Sequence, residues 1–211
     1  QDPSTVERKP DVSERIYDLA YHFDKADKGS ETLVFATLSA EDSKRQFAFE
    51  LAVDYFEFAL RNSLTANSRL LFLLHSGLGE SQVRLGRHNE AKSSLNVAIR
   101  LTDDQQDREA MVLLQAESEY RHNSFANSII LLERVLENLG VRVPRTQRGA
   151  AVAWTVEVMK RMVASSIPFL RHKRDIDKRG VLIMRALNFI PYIYYWTGTP
   201  KCLWACFAAM N

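Results

Sequence analysis

Apolar and polar residues alternate along most of this chain with the period of three to four that is typical of amphipathic helices. In the segment from Ser13 to Ala26, for example, Ile16, Leu19, Ala20 and Phe23 share one helical face. Short polar or glycine-containing breaks separate such segments at 27–30, 46–49, 62–67, 86–89, 102–107 and 122–124. The pattern predicts an all-α chain of about ten helices, arranged as antiparallel pairs.

The last third of the chain is less regular but is also predicted to be helical. Helices are expected over 150–166, over 181–196 with a possible kink at Pro191, and from Lys201 onward. Gly140 is expected to end the helix before this region, because glycine readily adopts the left-handed conformation of a C-cap. The apolar pattern stops inside a helix, so we expect the chain to be a segment of a larger protein.

Small residues recur in register with the predicted helix pairs. The pattern is a small residue, another small residue twelve positions later, a large apolar residue four further on and a final small or apolar residue three beyond that. It occurs at Ala40, Ala52, Phe56 and Ala59, at Gly79, Ala91, Leu95 and Ala98, and at Ala116, Ser128, Leu132 and Val135. Small residues let two helices approach closely, and the large residue fills the gap toward the next pair, so the units are predicted to stack.

The turn at Gly198 provides the register for a fourth, degenerate copy of this pattern. It would comprise Pro191, Leu203, Phe207 and Met210.

The spacing resembles the tetratricopeptide repeat, a unit of about 34 residues built from two helices. The middle copy is the best match, with Leu78-Gly79, a turn glycine at Gly86, then Ala91 and Leu95; it has His75 where Trp is usual and Asp103 where Pro is usual. The resemblance implies a right-handed superhelix of antiparallel helix pairs, that is, an α-solenoid. The implied units span 33–66, 72–105 and 109–142 after a lone helix at 13–26, and divergent helical repeats follow over 143–211.

Three further segments, 19–26, 131–134 and 139–144, are together similar to the repeat region of large multi-domain signal-transduction ATPases of the STAND type. That resemblance implies a regulatory or sensor segment of a larger signalling protein. This chain contains no Gly-x4-Gly-Lys-Ser/Thr motif, so it is expected to carry no ATPase site. A parent protein could carry an ATPase, kinase or cyclase domain elsewhere.

Charged residues follow the first small residue of each unit. Glutamates at 41, 80 and 117 are each followed four residues later by an arginine at 45, 84 or 121. Two interpretations remain open: solvated intrahelical ion pairs, or the concave groove that binds peptides in tetratricopeptide repeats. In the fourth copy the same positions hold aromatic residues. The candidate groove residues are Glu41, Arg45, Glu80, Arg84, Glu117, Arg121, Tyr192, Tyr195 and Trp196.

The expected partner is a protein or peptide, which includes another domain of the same polypeptide. The net charge of +2 calls for no nucleic acid or membrane. One segment, 142–179, has ten Lys or Arg against three acids and could contact phosphates, so a nucleic-acid-binding helical repeat is the alternative function. We favour a solvated loop there, because no aromatic residues for base stacking lie within its densest basic run, 171–174.

The remaining reactive residue types form no recognisable site. Cys202 and Cys206 lie four apart in an apolar context and are interpreted as packing residues. No two of the five histidines have metal-ligand spacing, and no nucleophile motif is present. We therefore expect no catalytic residues, no metal, no cofactor and no enzyme activity in this chain.

The sequence also indicates the cellular compartment in which the protein is expected. Residues 1–11 have neither the basic start nor the apolar run of a signal peptide. The apolar run at 183–196 contains Arg185 and Asn188 and falls short of the roughly 20 residues of a membrane span. With no disulfide framework, a reducing cytoplasm is the expected location.

Overall fold

The computed structural model describes residues 12–64, 66–166, 177–199 and 201–210, and every regular element in these ranges is an α-helix. The helices are α1 (Val12–Lys25), α2 (Gly29–Arg45), α3 (Phe49–Arg61), α4 (Ser68–Arg84), α5 (His88–Leu101), α6 (Gln105–Arg121), α7 (Phe125–Asn138), α8 (Gln147–Ser166), α9 (Lys178–Trp196) and α10 (Lys201–Met210). The predicted all-α class and the expectation of about ten helices are confirmed for this part of the chain.

The helices form two compact units that divide between Asp103 and Asp104. In the first unit each helix packs against the next along the chain, from α1 through α5. In the second unit α6 packs against α7, and α9 packs against α6, α7 and α10. Helix α8 follows α7 in sequence but packs against α10. Adjacent helix pairs are thus the building block of the fold.

Each position of the threefold small–large pattern is buried. Gly79 shows why a small residue is needed, since a Cβ built there would lie 2.7 Å from the Leu95 side chain of the paired helix. The large residue of the first copy, Phe56, packs across to the next pair: a Cβ on Gly77 would lie 2.2 Å from its ring. Ser128 adds a hydrogen bond, because its hydroxyl donates to the Ala116 carbonyl at 2.8 Å.

Six helix ends share one turn conformation, whether or not the turn contains a glycine. The residue after the C-cap has positive φ at Asp27, Phe47, Gly86, Asn123, Gly140 and Gly198. At Gly140, its N–H donates to the Glu137 carbonyl at 3.0 Å, and the next N–H, of Val141, donates to the Leu136 carbonyl at 2.8 Å. This pair of bonds is the Schellman motif, so the C-cap predicted at Gly140 is confirmed.

The fourth copy of the pattern does not keep its register. Leu203, at the second small position, is 59% exposed, whereas the neighbouring Trp204 and Ala205 are buried. Helix α10 therefore turns Leu203 away from the buried side on which the equivalent residue of α5, Ala91, lies. The side chain of Met210 lies outside the described residues.

Candidate partner-binding site

In the first unit the charged positions on α2 and α4 are connected through Lys44. Its Nζ lies 3.1 Å from a carboxylate oxygen of Glu41 and 3.3 Å from one of Glu80 on the neighbouring pair. Arg45 pairs with Asp42 at 3.0 Å and is mostly exposed. The intrahelical Glu41–Arg45 pair is therefore replaced by a charge bridge between helices, and sequence spacing did not identify Lys44 as its centre.

In the second unit the equivalent acid, Glu117, is buried between two arginines. Its Oε1 accepts from Arg121 Nη2 at 3.0 Å and from Arg121 Nε at 3.2 Å. Its Oε2 lies 3.7 Å from Nη2 of Arg185 on α9. The intrahelical pair predicted at Glu117 and Arg121 is thus present. Both arginine side chains remain partly exposed, so the acid holds them in place at the surface.

Aromatic side chains adjoin this charged group and form a surface that we call the aromatic face. Tyr120 of α6 contacts Phe189 and Tyr192 of α9, with ring centroids 5.3 and 6.0 Å apart. Trp196 then contacts Tyr192 at 6.0 Å and Tyr195 at 5.8 Å. Tyr192, Tyr195 and Trp196 are 49%, 70% and 62% exposed. The structure therefore brings these three predicted residues together.

Two members of the aromatic face, Tyr120 and Phe189, were not identified from the sequence. Tyr120 lies three residues after Glu117, and Phe189 lies three residues before Tyr192. Helical spacing alone places each beside a predicted residue. Only the packing of α9 against α6 shows that the two positions meet.

The buried side of α9 holds the aromatic face in position. Tyr194 is buried, and its hydroxyl donates to the Glu133 carboxylate of α7. Burial, followed by that hydrogen bond and the Glu133 charge, raises the pKa of Tyr194 above its ordinary value. Lys201 of α10 also donates to Glu133, at 2.8 Å. One carboxylate therefore joins three helices behind the exposed rings.

The start of α9 is fixed by polar contacts of its own. Asp177 accepts from the Gly180 N–H at 2.7 Å as an N-cap. Lys178 donates to Asp107 of α6 at 2.5 Å. Arg179 donates from Nε and Nη2 to the Leu139 carbonyl at 2.9 and 2.6 Å, which satisfies a free carbonyl at the end of α7. With both ends held, α9 presents its aromatic residues on a rigid support.

Among the described residues, the histidine and cysteine side chains that could support chemistry lie away from the aromatic face in sequence or form no larger cluster. No group of three His, Cys, Asp or Glu side chains within the described ranges could hold a metal ion. His75 is half-buried, and burial lowers its pKa. Cys202 donates to the Pro191 carbonyl at 3.4 Å, and burial raises the pKa of this thiol.

Much of the basic segment 142–179 is engaged in ion pairs where it is described. Arg145 pairs with Glu137 at 3.4 Å and Lys160 with Glu157 at 2.7 Å, in addition to the contacts of Lys178 and Arg179. Residues 167–176, which include the densest run of basic residues, lie outside the described ranges. Among the described helices, none combines the length and the apolar character that crossing a membrane requires.

No protein-family model matches this chain, and no curated protein matches it. The fold itself defines an all-helical protein whose helices pack in adjacent pairs.

Proposed function

We propose that this chain is a non-catalytic protein-interaction scaffold, a tetratricopeptide-like helical repeat in which stacked pairs form a right-handed superhelix. The observation that carries the proposal is the aromatic face. Three large rings are exposed on a single helix that is anchored from behind by Glu133. Exposed Tyr and Trp side chains on a rigid element are the residues that most often dominate protein-binding energy.

The arginines beside the aromatic face indicate which charge the partner carries. Arg121 and Arg185 share the single carboxylate of Glu117, which leaves a net positive charge next to the aromatic face. A peptide with an apolar side chain against the rings and a carboxylate near the arginines fits this arrangement. Charge-assisted hydrogen bonds to prepositioned arginines are stronger than neutral ones and cost little reorganisation.

The proposed biological role is a regulatory or sensor segment of a larger signalling protein. In that role the partner is either a separate protein or another domain of the same polypeptide. The resemblance of segments 19–26, 131–134 and 139–144 to signalling ATPases supports this role.

The test compares two sets of substitutions in a pull-down from cell extract. One variant carries Tyr192→Ala, Tyr195→Ala and Trp196→Ala, and the other carries Arg45→Glu, Arg84→Glu and Arg121→Glu. We expect the aromatic variant to lose its partners, because truncating a hot-spot residue costs about 2 kcal/mol or more. The arginine variant should weaken binding less, because Arg45 already pairs with Asp42.

The matched control is Tyr21→Ala, which removes an equally exposed tyrosine from the first unit. Thermal melts of all variants must agree with that of the wild type, since exposed side chains contribute little to folding. The proposal is wrong if the aromatic variant recovers the same proteins as the wild type. Recovery of nucleic acid that decreases steeply with salt would favour the alternative function.

A further inference from the structure

Helix α10 carries the two cysteines of the chain, Cys202 and Cys206, on one face. They lie four residues apart, which is about one helical turn, and both have free, partly exposed thiols. The two thiols also interact. Burial, followed by the charge and a hydrogen bond of Cys206, raises the pKa of the Cys202 thiol. Two neighbouring sulfur atoms can therefore be reached from one side of α10.

Contacts with the preceding residues and with α9 fix the position of Cys202. Its thiol donates to the Pro191 carbonyl at 3.4 Å, and its N–H donates to the Thr199 carbonyl at 3.1 Å. Between the two cysteines, Trp204 and Ala205 are buried where α10 packs against α8 and α9. The thiol pair therefore lies on an anchored helix, which lowers the cost of ordering it around a ligand.

The helical spacing favours a bridge of one atom between the two sulfurs over a disulfide. Residues four apart in a helix have Cβ atoms about 5–6 Å apart, whereas a disulfide needs Cβ atoms about 3.5–4.5 Å apart. A direct bond between the sulfurs would therefore distort α10. An inserted metal ion adds two metal–sulfur bonds of roughly 2.3 Å each, the length known for zinc. Such an ion spans the pair without unwinding the helix.

The number and type of donor atoms then select the ion. Within the described ranges no third His, Cys, Asp or Glu completes a metal site with the two thiols. Thiolates favour Cu(I), zinc and iron–sulfur clusters. Zinc sites take three or four protein ligands, and iron–sulfur clusters take four. Cu(I) is a soft ion with a filled d shell, and two thiolates in a linear arrangement satisfy it. Of these three classes, Cu(I) fits a pair of thiols.

We propose that Cys202 and Cys206 form a two-coordinate site for Cu(I). Each thiol releases its proton to solvent as its sulfur bonds to the ion, so one Cu(I) and two thiols give an anionic bis-thiolate complex and two protons, with no change of oxidation state. Cys202 lies in the first turn of α10, where the positive end of the helix dipole stabilises part of that negative charge. This site shares no residue with the aromatic face and does not depend on the function proposed for it.

Two other roles for the cysteine pair fit the observations less well. A redox-sensing thiol needs thiolate character, and the raised pKa of Cys202 opposes it. A pair that served packing alone would be buried, as the sequence interpretation implied. Both cysteines are instead partly exposed, while Trp204 and Ala205 supply the buried contacts of α10.

The probe is Cu(I) itself, added without oxygen as its acetonitrile complex to the reduced full chain. Bathocuproine disulfonate, a chelator that is coloured when it holds Cu(I), competes for the ion, and its absorbance reports how much copper the protein retains. We expect the chain to retain one Cu(I), and X-ray absorption at the copper edge should show two sulfur ligands. Bound Cu(I) should also raise the midpoint of thermal unfolding, because a ligand that prefers the folded chain stabilises it.

The variants Cys202→Ser and Cys206→Ser each remove one ligand and should weaken Cu(I) binding by roughly a hundredfold or more, which exceeds the usual effect of losing an outer-shell contact. The matched control, Cys206→Ser/Val181→Cys, keeps two thiols in the chain. Val181 is an exposed residue of α9 ten positions before Pro191, about 15 Å along the helix axis. This control should bind Cu(I) no better than Cys206→Ser, and far-UV circular dichroism melts verify that each variant is folded.

Four results would overturn the proposal: no retention of Cu(I), unchanged retention by both folded serine variants, wild-type retention by the relocated-thiol control, or three or more ligands in the X-ray absorption spectrum. Zn(II) that the chain retains against a zinc chelator, and loses in both serine variants, would assign the cysteines to a larger metal site instead. A disulfide between Cys202 and Cys206 in the chain isolated without reductant, detected by mass spectrometry after alkylation, would assign the pair to a redox role.

Discussion

Phe47 holds a backbone conformation that aromatic residues rarely adopt. Its φ is +60°, and it closes the turn between α2 and α3 with the hydrogen bonds that Gly86 makes between α4 and α5. The side chain is mostly exposed and contacts Phe49 at 6.1 Å. A left-handed conformation costs a non-glycine residue about 1–2 kcal/mol, so the packed helix pair on either side holds the turn in place.

Replacing Phe47 with glycine is expected to stabilise the protein. The substitution relieves the left-handed backbone, and the greater freedom of glycine in the unfolded chain offsets part of that gain, which leaves about 0.5–1 kcal/mol. The measurement is the midpoint of urea unfolding. Phe47→Ala removes the ring and keeps the strain, so it should show no such gain; equal shifts for Gly and Ala would contradict this explanation.

Gly77 is expected to tolerate no side chain, because its missing Cβ is what admits the Phe56 ring. A Cβ there would lie 2.2 Å from the ring, so Gly77→Ala should destabilise the protein by about 1–3 kcal/mol through overpacking. The comparison is Gly29→Ala, where the nearest atom lies 3.9 Å away and helix formation should instead improve.

A double-mutant cycle separates the clash at Gly77 from general helix effects. Adding Phe56→Leu to Gly77→Ala should cost less than the sum of the two single substitutions, since the smaller side chain leaves room for the methyl group. Thermal or urea unfolding gives the three free energies. Strict additivity would mean that the two residues do not share this contact.

At the scale of the elements, α9 is the helix on which most of the second unit depends. It packs on α6, α7 and α10, and its polar contacts reach Asp107, Glu117, Glu133 and the Leu139 carbonyl. Pro191 lies within it without ending it. Because several neighbouring helices fix the buried side of α9, its opposite side can remain exposed and apolar without loss of the fold. The aromatic face lies on that opposite side.

The buried tyrosine of α9 predicts a specific pH dependence. The pKa of Tyr194 is raised above 10.0 in the folded chain, so above that pH the unfolded chain ionises first and stability falls. Tyr194→Phe should be less stable near neutral pH by about 1–2 kcal/mol, and its stability should fall less steeply between about pH 9 and 11.

Urea unfolding at a series of pH values measures both effects of Tyr194→Phe. Tyr192→Phe is the control, because that ring is exposed and its loss of a hydroxyl should change neither the stability nor the slope. Parallel pH profiles for wild type and Tyr194→Phe would show that the Glu133 contact does not form in solution.

At the scale of the whole molecule, the first unit contains a buried apolar cluster of its own. The buried cluster includes Leu33, Phe56, Leu74 and Leu78, and all of its members lie between α2 and α4. Stacked helical pairs derive their stability from each pair and its nearest neighbours. Residues 1–103 therefore meet the basic requirement for folding as a separate fragment.

We expect a fragment of residues 1–103 to be helical by circular dichroism and to unfold cooperatively. Gly77→Ala should destabilise this fragment by about the amount it destabilises the full chain, within roughly 0.5 kcal/mol, because the same Phe56 contact is lost in both. An unstructured fragment would show that the first unit needs the second in order to fold.

Helix positions and their tight contacts were largely predictable from the sequence, because they depend on residues that are close together along the chain. Apolar periodicity defined the helices, and the small residues at 40, 52, 79, 91, 116 and 128 marked where two helices touch. Turn chemistry was predictable only in part. Gly140 forms the C-cap that its residue type predicts. The left-handed turn at Phe47 is not predicted by its residue type and is held in place by the packing of α2 against α3.

The surface sites were decided by tertiary structure, because their members are distant in sequence. Lys44 bridges to Glu80 on the next pair, and Arg185 reaches Glu117 from a different helix. The predicted packing at Leu203 was wrong, because α10 buries Trp204 and Ala205 and leaves Leu203 exposed. Sequence periodicity thus determined the helices and their close contacts, whereas the placement of α8 and α9 decided which aromatic and apolar side chains remain exposed.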